Sequence, residues 1–148
     1  MEVAKDFEAE STKGKIRLSS LLKEKDFVVL YFYPKSFTSG CTEELKRFTE
    51  LYDEFKKLNA EVIGVSADDL ETQKEFAEKY NAKFPLIADT NLEVINLYNA
   101  KNPRSEGAKR ITYVIDKNMR IISVIKTLKA EEHADEALKV IKEKLKEV

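Results

Sequence analysis

The sequence predicts an α/β fold in which a central mixed sheet is flanked by helices. Three observations lead to this class. Phe27–Tyr33 is a continuous apolar run without polar alternation, as expected of a strand that is buried on both faces. A shorter run of the same kind, Val62–Ser66, follows after a segment with helical periodicity. Two later runs, Ile111–Asp116 and Arg120–Ile125, stand close enough in sequence to form an antiparallel hairpin.

Helical segments lie between and after these strands. The first and longest predicted helix has apolar residues at helical spacing: Leu45, Phe48, Tyr52 and Phe55. A second helix is predicted over Leu70–Tyr80, because Ser66, Asp68 and Asp69 offer N-cap oxygens before it. The last helix is predicted from about Ala134 to Val148, with one apolar stripe: Ala137, Leu138, Ile141 and Leu145.

Smaller elements complete the prediction. Residues 19–23 are expected to form a short helical turn. The interval Asn81–Lys109 contains a candidate strand, Phe84–Ala88, and a candidate helix, Leu92–Tyr98. In the hairpin connection, Asn118 is a residue that can tolerate the left-handed conformation. The order of strands and helices resembles the thioredoxin-like fold, which has a βαβ unit followed by an antiparallel hairpin and a closing helix.

Length and composition limit the classes of function. The 148 residues suit a single domain over 1–148, and 26 basic against 27 acidic side chains leave a net charge of −1. This balance argues against nucleic acid as a partner. A membrane location is not expected, because no apolar run approaches ~20 residues and the N-terminus lacks a signal-peptide core. A single cysteine fits a soluble, cytoplasmic protein. A monomer is expected, and a dimer is left open.

Cys41 is the residue most suited to chemistry. It follows Gly40 at the start of the longest helix, directly after the turn that leaves the first buried strand. Unpaired backbone N–H groups and the positive end of the helix dipole favour a thiolate at this place. We therefore expect the pKa of the Cys41 thiol to lie below that of a free cysteine. The simpler interpretation of a lone cysteine is a small buried apolar residue without reactivity.

The segment around this cysteine carries a motif. Pro34, Thr38 and Cys41 fit the pattern P-x-x-x-T-x-x-C, and Glu44 completes a C-T-x-E continuation. The segment before the predicted hairpin resembles one that carries an active-site arginine, which corresponds here to Arg110. With these residues the chain is similar to peroxiredoxins, in particular the peroxiredoxin Q group, also called bacterioferritin comigratory proteins. Further similarity covers nearly the whole chain: Asp6-Phe7, Phe84-Pro85-Leu86 and the final helix.

The resemblance implies a thiol peroxidase with a role for each motif residue. The Cys41 thiolate would attack a hydroperoxide and become a sulfenic acid. Arg110 would stabilise the thiolate and the polarised peroxide, and Thr38 would bind the peroxide through its hydroxyl. Backbone N–H groups at Gly40 and Cys41 would complete the substrate site. Two further roles are implied by the motif: shielding of the sulfur by Pro34 and orientation of Arg110 by Glu44. Neither a cofactor nor a metal is expected.

One departure from the family pattern concerns recycling. Many members of the group carry a second cysteine at the position occupied here by Lys46, and this chain has no other cysteine. An internal disulfide is therefore excluded. The sulfenic acid must be reduced by an external thiol such as thioredoxin, glutathione or a similar compound, or through a disulfide between two Cys41 side chains.

Two alternative functions stay open at this point. The protein is a peroxide sensor if oxidised Cys41 is not recycled, and a binding module with the same fold if Cys41 is inert. Lys46 keeps both hypotheses open, because it removes the built-in route back to the thiol. The single histidine, His133, follows two glutamates and is expected to be a solvated residue at a helix start.

Overall fold

The structure is a computed structural model that describes residues 2–126 and 128–146. Its elements, in chain order, are β1 (Glu2–Val3), β2 (Glu8–Ser11), β3 (Gly14–Arg17), α1 (Leu18–Leu21), β4 (Phe27–Phe32), α2 (Ser39–Lys57), β5 (Ala60–Ser66), α3 (Leu70–Lys79), β6 (Leu86–Ala88), α4 (Glu93–Leu97), β7 (Ile111–Asp116), β8 (Arg120–Ile125), a 3₁₀ turn (Ala130–Glu132) and α5 (His133–Lys146). None of the described helices is long and apolar enough to span a membrane.

The strands form one mixed sheet, which confirms the predicted fold class. In the described part of the chain the order of the eight strands is β1-β8-β7-β4-β5-β6-β2-β3. The three strands β4, β5 and β6 are parallel, whereas β7 runs antiparallel to β4 and pairs with β8. In the register of β4 with β7, Phe32 lies opposite Ile111. The carboxyl end of β4 therefore meets the amino end of β7, which brings the segments after Phe32 and before Ile111 together.

Strand β4 is the centre of two cores. Every second residue from Phe27 to Tyr33 packs against α2, α3 and α5 on one face of the sheet. The alternate residues, from Val28 to Phe32, pack on the opposite face with α1 and α4. All residues of β4 are buried. Burial on both faces explains why this strand appears in the sequence as an unbroken apolar run.

Most predicted elements are confirmed within one or two residues. Strands β7 and β8 have the predicted bounds, and α3 starts after Asp69, whose carboxylate accepts a hydrogen bond from the Thr72 amide. The β2–β3 hairpin was not predicted. Its strands are short and largely exposed, and β2 joins the sheet through one residue pair, Ser11 with Ile87. Such an edge element lacks the apolar periodicity on which sequence-based prediction depends.

The left-handed residue of the β7–β8 hairpin is Met119, with φ of +61°, and not Asn118, which could have tolerated that conformation. The Asp116 carboxylate accepts hydrogen bonds from the amides of Asn118 and Arg120, and the Asp116 carbonyl accepts one from Met119. A three-residue hairpin loop commonly ends with its last residue left-handed. The turn type therefore decides the position, against the residue preference of asparagine.

The predicted apolar stripe of α5 is correct in its first half. Ala137, Leu138 and Ile141 are buried, whereas Leu145 is 42% exposed. The last turn of the helix is therefore less buried than its first half. The predicted end of the helix at Val148 lies outside the described residues.

We predict that Gly64→Ala destabilises the fold by packing alone. Gly64 lies on β5 opposite Tyr31, and a Cβ atom there would stand 2.7 Å from Leu86 Cδ2 and 2.9 Å from Tyr31 Cζ. Overpacking of this kind costs about 1–3 kcal/mol of unfolding free energy, which chemical denaturation measures. The control Val124→Thr, at an exposed position of β8, should stay within about 0.5 kcal/mol of wild type. Equal stability of Gly64→Ala and wild type would contradict the packing described here.

Candidate active site

Cys41 is the third residue of α2 and lies in its first turn. The residue is 1% exposed and faces the core between the helix and the sheet. Its sulfur accepts a hydrogen bond from Arg110 Nη2 at 3.4 Å. The first turn of α2, which is fully described, carries no acidic residue. No acidic side chain of this turn therefore competes with the sulfur for the positive end of the helix dipole.

The loop between β4 and α2 is anchored by a buried polar cluster around Gln73. Tyr33 Oη and Ser36 Oγ both donate to Gln73 Oε1, at 2.6 and 2.8 Å. The Gln73 amide nitrogen donates in turn to Ser66 Oγ at 2.9 Å. The Ser36 amide is also held, by Asp68 Oδ2 at 2.8 Å. Because buried polar groups with satisfied hydrogen bonds rigidify their surroundings, the cluster fixes the chain that leads to Cys41.

Two further contacts define the path of this loop. Phe37 has a φ of +69°, which is uncommon outside glycine, and its ring packs on Phe76 with 5.0 Å between centroids. On the other side, Gly107 approaches Pro34 so closely that a Cβ atom at residue 107 would lie 2.6 Å from the Pro34 carbonyl oxygen. The loop is therefore held by α3 and by the segment that leads to β7.

Arg110, the residue before β7, joins two groups of α2. Its Nη1 donates to Glu44 Oε1 at 2.6 Å, and its Nη2 donates to the Cys41 sulfur. Burial acts to lower the pKa of Arg110, and the neighbouring Glu44 and Cys41 raise it above the ordinary value. The side chain is 22% exposed, so it is partly accessible to solvent. A permanent charge therefore stands directly beside the sulfur.

Gly40 leaves the space that this arginine occupies. A Cβ atom at residue 40 would lie 3.0 Å from Arg110 Nη2 and 3.9 Å from the Ala130 side chain. A larger residue would push the guanidinium from the first turn of the helix. The absence of a side chain at Gly40 thus permits the contact between Arg110 and Cys41.

Glu44 lies one helical turn after Cys41 and is completely buried. Burial raises the pKa of Glu44 to about 8, although Arg110 acts in the opposite direction. Glu44 therefore holds a proton more tightly than an exposed glutamate does. Its second oxygen, Oε2, has no hydrogen-bond partner among the residues that the structure describes.

His133 is not the solvated residue that the sequence predicted. The ring is buried, its Nδ1 lies 2.8 Å from Thr112 Oγ1, and the same atom lies 3.7 Å from Glu44 Oε2. The adjacent glutamates suggested exposure, yet His133 shares the spacing of the apolar stripe with Ala137 and Ile141, four and eight positions later. That spacing was the available signal. Burial lowers the pKa of His133, and Arg110 lowers it further, whereas the Leu128 backbone and Glu132 raise it.

The remaining motif residues lie at the edge of this group. Thr38 is the N-cap residue of α2, and its hydroxyl donates to the Lys35 carbonyl at 2.7 Å instead of capping the helix. Lys46 is 51% exposed on α2, 3.9 Å from Glu43. The structure thus brings Gly40, Cys41, Glu44 and Arg110 into one group. Pro34 and Thr38 lie in the loop beside it.

Comparisons with known proteins agree with this geometry. The model of the AhpC/TSA family matches residues 1–124. Peroxiredoxin Bcp of Bacillus subtilis is 36% identical over 146 residues, covering 95% of this chain and 92% of that protein.

Solved structures resemble the whole chain as well. Peroxidoxin BcpB of Mycobacterium tuberculosis superposes with a TM-score of 0.90 at 34% identity, covering 96% of this chain and 95% of that one. A structure of the bacterioferritin comigratory protein of Xanthomonas campestris, described for its alkyl peroxide reduction activity, gives a TM-score of 0.86 at 26% identity, with 93% and 91% covered.

The matches extend over nearly the whole chain, in sequence and in fold. With a family match over most of its length and relatives that it covers almost completely, this chain belongs to the AhpC/TSA family, as a peroxiredoxin with thiol-dependent peroxidase activity.

Proposed function

We propose that this chain is a one-cysteine peroxidase that reduces hydrogen peroxide and small organic hydroperoxides at Cys41. The observation that carries the proposal is the Arg110 guanidinium, which contacts the Cys41 sulfur at 3.4 Å and Glu44 at 2.6 Å. A cation at this distance, together with the helix N-terminus, supports a thiolate ready for attack.

The chemical step is a two-electron oxidation of the sulfur. The Cys41 thiolate attacks the terminal oxygen of the hydroperoxide, so the S–O bond forms as the O–O bond breaks. The leaving alkoxide or hydroxide takes up one proton and departs as alcohol or water. This proton balances the one that the thiol lost when it became a thiolate. Cys41 is left as a sulfenic acid. Because negative charge moves from sulfur to the leaving oxygen, donors must face both positions.

Arg110 supplies a donor at the sulfur, and the motif loop supplies an acceptor for the peroxide. The guanidinium donates to the sulfur, and the partly exposed Arg110 side chain supports a role in binding the peroxide as well. A proton retained on Glu44 leaves more of the Arg110 charge to the thiolate, because the carboxyl group then carries no competing negative charge. The Thr38 hydroxyl, whose hydrogen is used by Lys35, can still accept a hydrogen bond from the peroxide.

The burial of the sulfur favours small substrates. Because Cys41 is only 1% exposed, we infer that only a small peroxide can approach its sulfur. Hydrogen peroxide and short alkyl hydroperoxides meet this condition. Alkyl peroxide reduction by the Xanthomonas relative supports the organic part of the proposal.

Reduction of the sulfenic acid uses an external thiol. One thiol attacks the Cys41 sulfur, releases water and forms a mixed disulfide, and a second thiol displaces Cys41 and leaves as a disulfide. Thioredoxin, glutathione or a similar thiol provides these two electrons. We place the reaction in a reducing compartment such as the cytoplasm, since the cycle consumes thiols and the chain has a single cysteine. A monomer is sufficient for this cycle.

We predict that substoichiometric peroxide adds one oxygen atom to Cys41, and that turnover follows when a thiol is present. Intact-mass measurement detects the first event, and a peroxide-consumption assay across a panel of thiol reductants measures the second. Cys41→Ser should abolish both. Addition of oxygen without turnover would indicate a sensor, and absence of oxygen addition would indicate an inert cysteine.

We predict that Arg110→Ala slows the oxidation of Cys41 by about 10²-fold or more, because one charged donor is lost from the transition state. Stopped-flow or competition kinetics with hydrogen peroxide give the rate. Arg47→Ala is the matched control. Arg47 also lies on α2, but its guanidinium binds Asp135 of α5 and does not contact the sulfur. Near-equal rates for Arg110→Ala and wild type would overturn the role of the arginine.

We predict that Glu44→Gln changes the pH dependence of stability. Folded Glu44 keeps its proton up to about pH 8, whereas its unperturbed pKa is 4.5. The stabilising contribution of this raised pKa is complete below pH 4.5 and is lost as the pH rises to 8. In that window the unfolding free energy of wild type should fall relative to Glu44→Gln, with a slope on the order of 1 kcal/mol per pH unit.

Denaturant titrations at several pH values measure this difference. Glu43→Gln, the neighbouring exposed position on α2, should follow wild type throughout. If wild type and Glu44→Gln have parallel pH profiles, Glu44 does not retain its proton in the folded state.

A further inference from the structure

The carboxyl group of Glu44 has two oxygens with different surroundings. Oε1 accepts the short hydrogen bond from Arg110. Oε2 is buried without a hydrogen bond within the described part of the chain. A buried polar atom without a hydrogen bond costs free energy. The orientation of the Glu44 carboxyl group therefore depends on the groups that surround Oε2. The neighbour that faces Oε2 is the His133 ring, with Nδ1 at 3.7 Å.

His133 is itself fixed from the sheet. Its Nδ1 lies 2.8 Å from Thr112 Oγ1, and both residues are buried. Thr112 belongs to β7 and stands two residues after Arg110. The start of β7 therefore positions two groups: the Arg110 guanidinium on one side of Glu44 and, through Thr112, the His133 ring on the other side. The Glu44 carboxyl group is enclosed between two groups that the same strand positions.

We propose that His133, held by Thr112, is a positioning residue that keeps the Glu44 carboxyl group turned toward Arg110. The ring fills the space behind Oε2 with a polar edge, so the carboxyl group cannot rotate away from the guanidinium. His133 acts on the sulfur only through Glu44 and Arg110. The predicted effect of His133 on the rate of peroxide reduction rests on the proposed function. The predicted effect of His133 on the orientation of Glu44 is independent of that function.

The charges around the pair agree with this role. The titratable and charged groups near His133 and Glu44 include Cys41 on α2, Arg110 before β7, Glu132 beside His133 and the buried Tyr31 on β4. Burial raises the pKa of Glu44 and lowers that of His133, so a neutral carboxylic acid and a neutral ring can face each other. The acid proton then belongs on Oε2, since Oε1 accepts from Arg110. A leucine would fill the same volume without offering this polar edge.

The test is a double-mutant cycle between His133 and Glu44. His133→Leu should slow Cys41 oxidation about 10-fold, and His133→Asn, which keeps a polar atom near the Nδ1 position, should restore most of the rate. In a Glu44→Gln background, His133→Leu should have no further effect beyond about twofold, because its action passes through Glu44. Ile141→Ala is the control for lost stability, since Ile141 is buried two turns further along α5.

Three outcomes overturn the inference. His133→Leu acts as a merely structural change if it lowers the rate no more than Ile141→Ala does at an equal loss of thermal stability. The coupling is absent if His133→Leu slows oxidation equally with and without Glu44. Because the chain has one histidine, its ring signals in ¹H–¹⁵N spectra provide a further readout. Glu44→Gln should shift these signals, and unchanged signals would also overturn the inference.

A failure of the proposed function remains distinguishable. If wild type does not consume peroxide, the same cycle is measured as the alkylation rate of Cys41 by iodoacetamide at fixed pH, which follows the thiolate. Coupling in alkylation without peroxidase turnover would retain His133 as a positioning residue and reject the peroxidase cycle. Turnover without coupling would retain the peroxidase cycle and reject His133 as a positioning residue.

Discussion

The active site depends on one guanidinium that is shared between a sulfur and a carboxyl group. Arg110 reaches both because Cys41 and Glu44 are three residues apart on α2 and therefore lie on the same face of the helix. The arginine comes from a distant part of the chain, where Ile111 pairs with Phe32 at the end of β4. Any shift in the register of β4 with β7 would move the charge away from the sulfur. The register of the sheet therefore also determines the geometry of the candidate site.

The surrounding structure restrains both ends of this contact. On the side of the cysteine, Ser36 and Gln73 tie the loop to α3 and to the end of β5. On the side of the arginine, Gly107 packs directly on Pro34, so the segment before β7 and the motif loop move together. Gly40 then leaves the volume that the guanidinium fills. These contacts are made by small or uncharged residues, which hold the geometry without adding charges that would compete for Arg110.

The sequence predicts those parts of the site that have a signal within a short stretch of residues. The apolar run of β4, the periodicity of α2 and the motif that ends at Cys41 each have a signal within a short window, and the family resemblance added Arg110. The Gln73 cluster has no such signal, because its hydrogen bonds join residues that are far apart in sequence. His133 was misjudged for a related reason. Its acidic neighbours dominate the local pattern, whereas its burial depends on Thr112 and Glu44, which only the folded chain brings near.

The first turn of α2 must meet two opposing requirements. Peroxide reduction requires the sulfur to stay beside Arg110, while reduction by an external thiol requires the same buried sulfur to become accessible. This turn is held less firmly than an ordinary helix start, because the Thr38 hydroxyl is used by Lys35 and Gly40 costs about 1 kcal/mol relative to alanine. Acidic residues, which would strengthen the turn, are absent from this described segment and would also oppose a thiolate. With Lys46 in place of a second cysteine, no internal thiol captures the exposed sulfur. In the proposed cycle, the weak capping of this turn lowers the free energy that is needed to expose the sulfur for reduction.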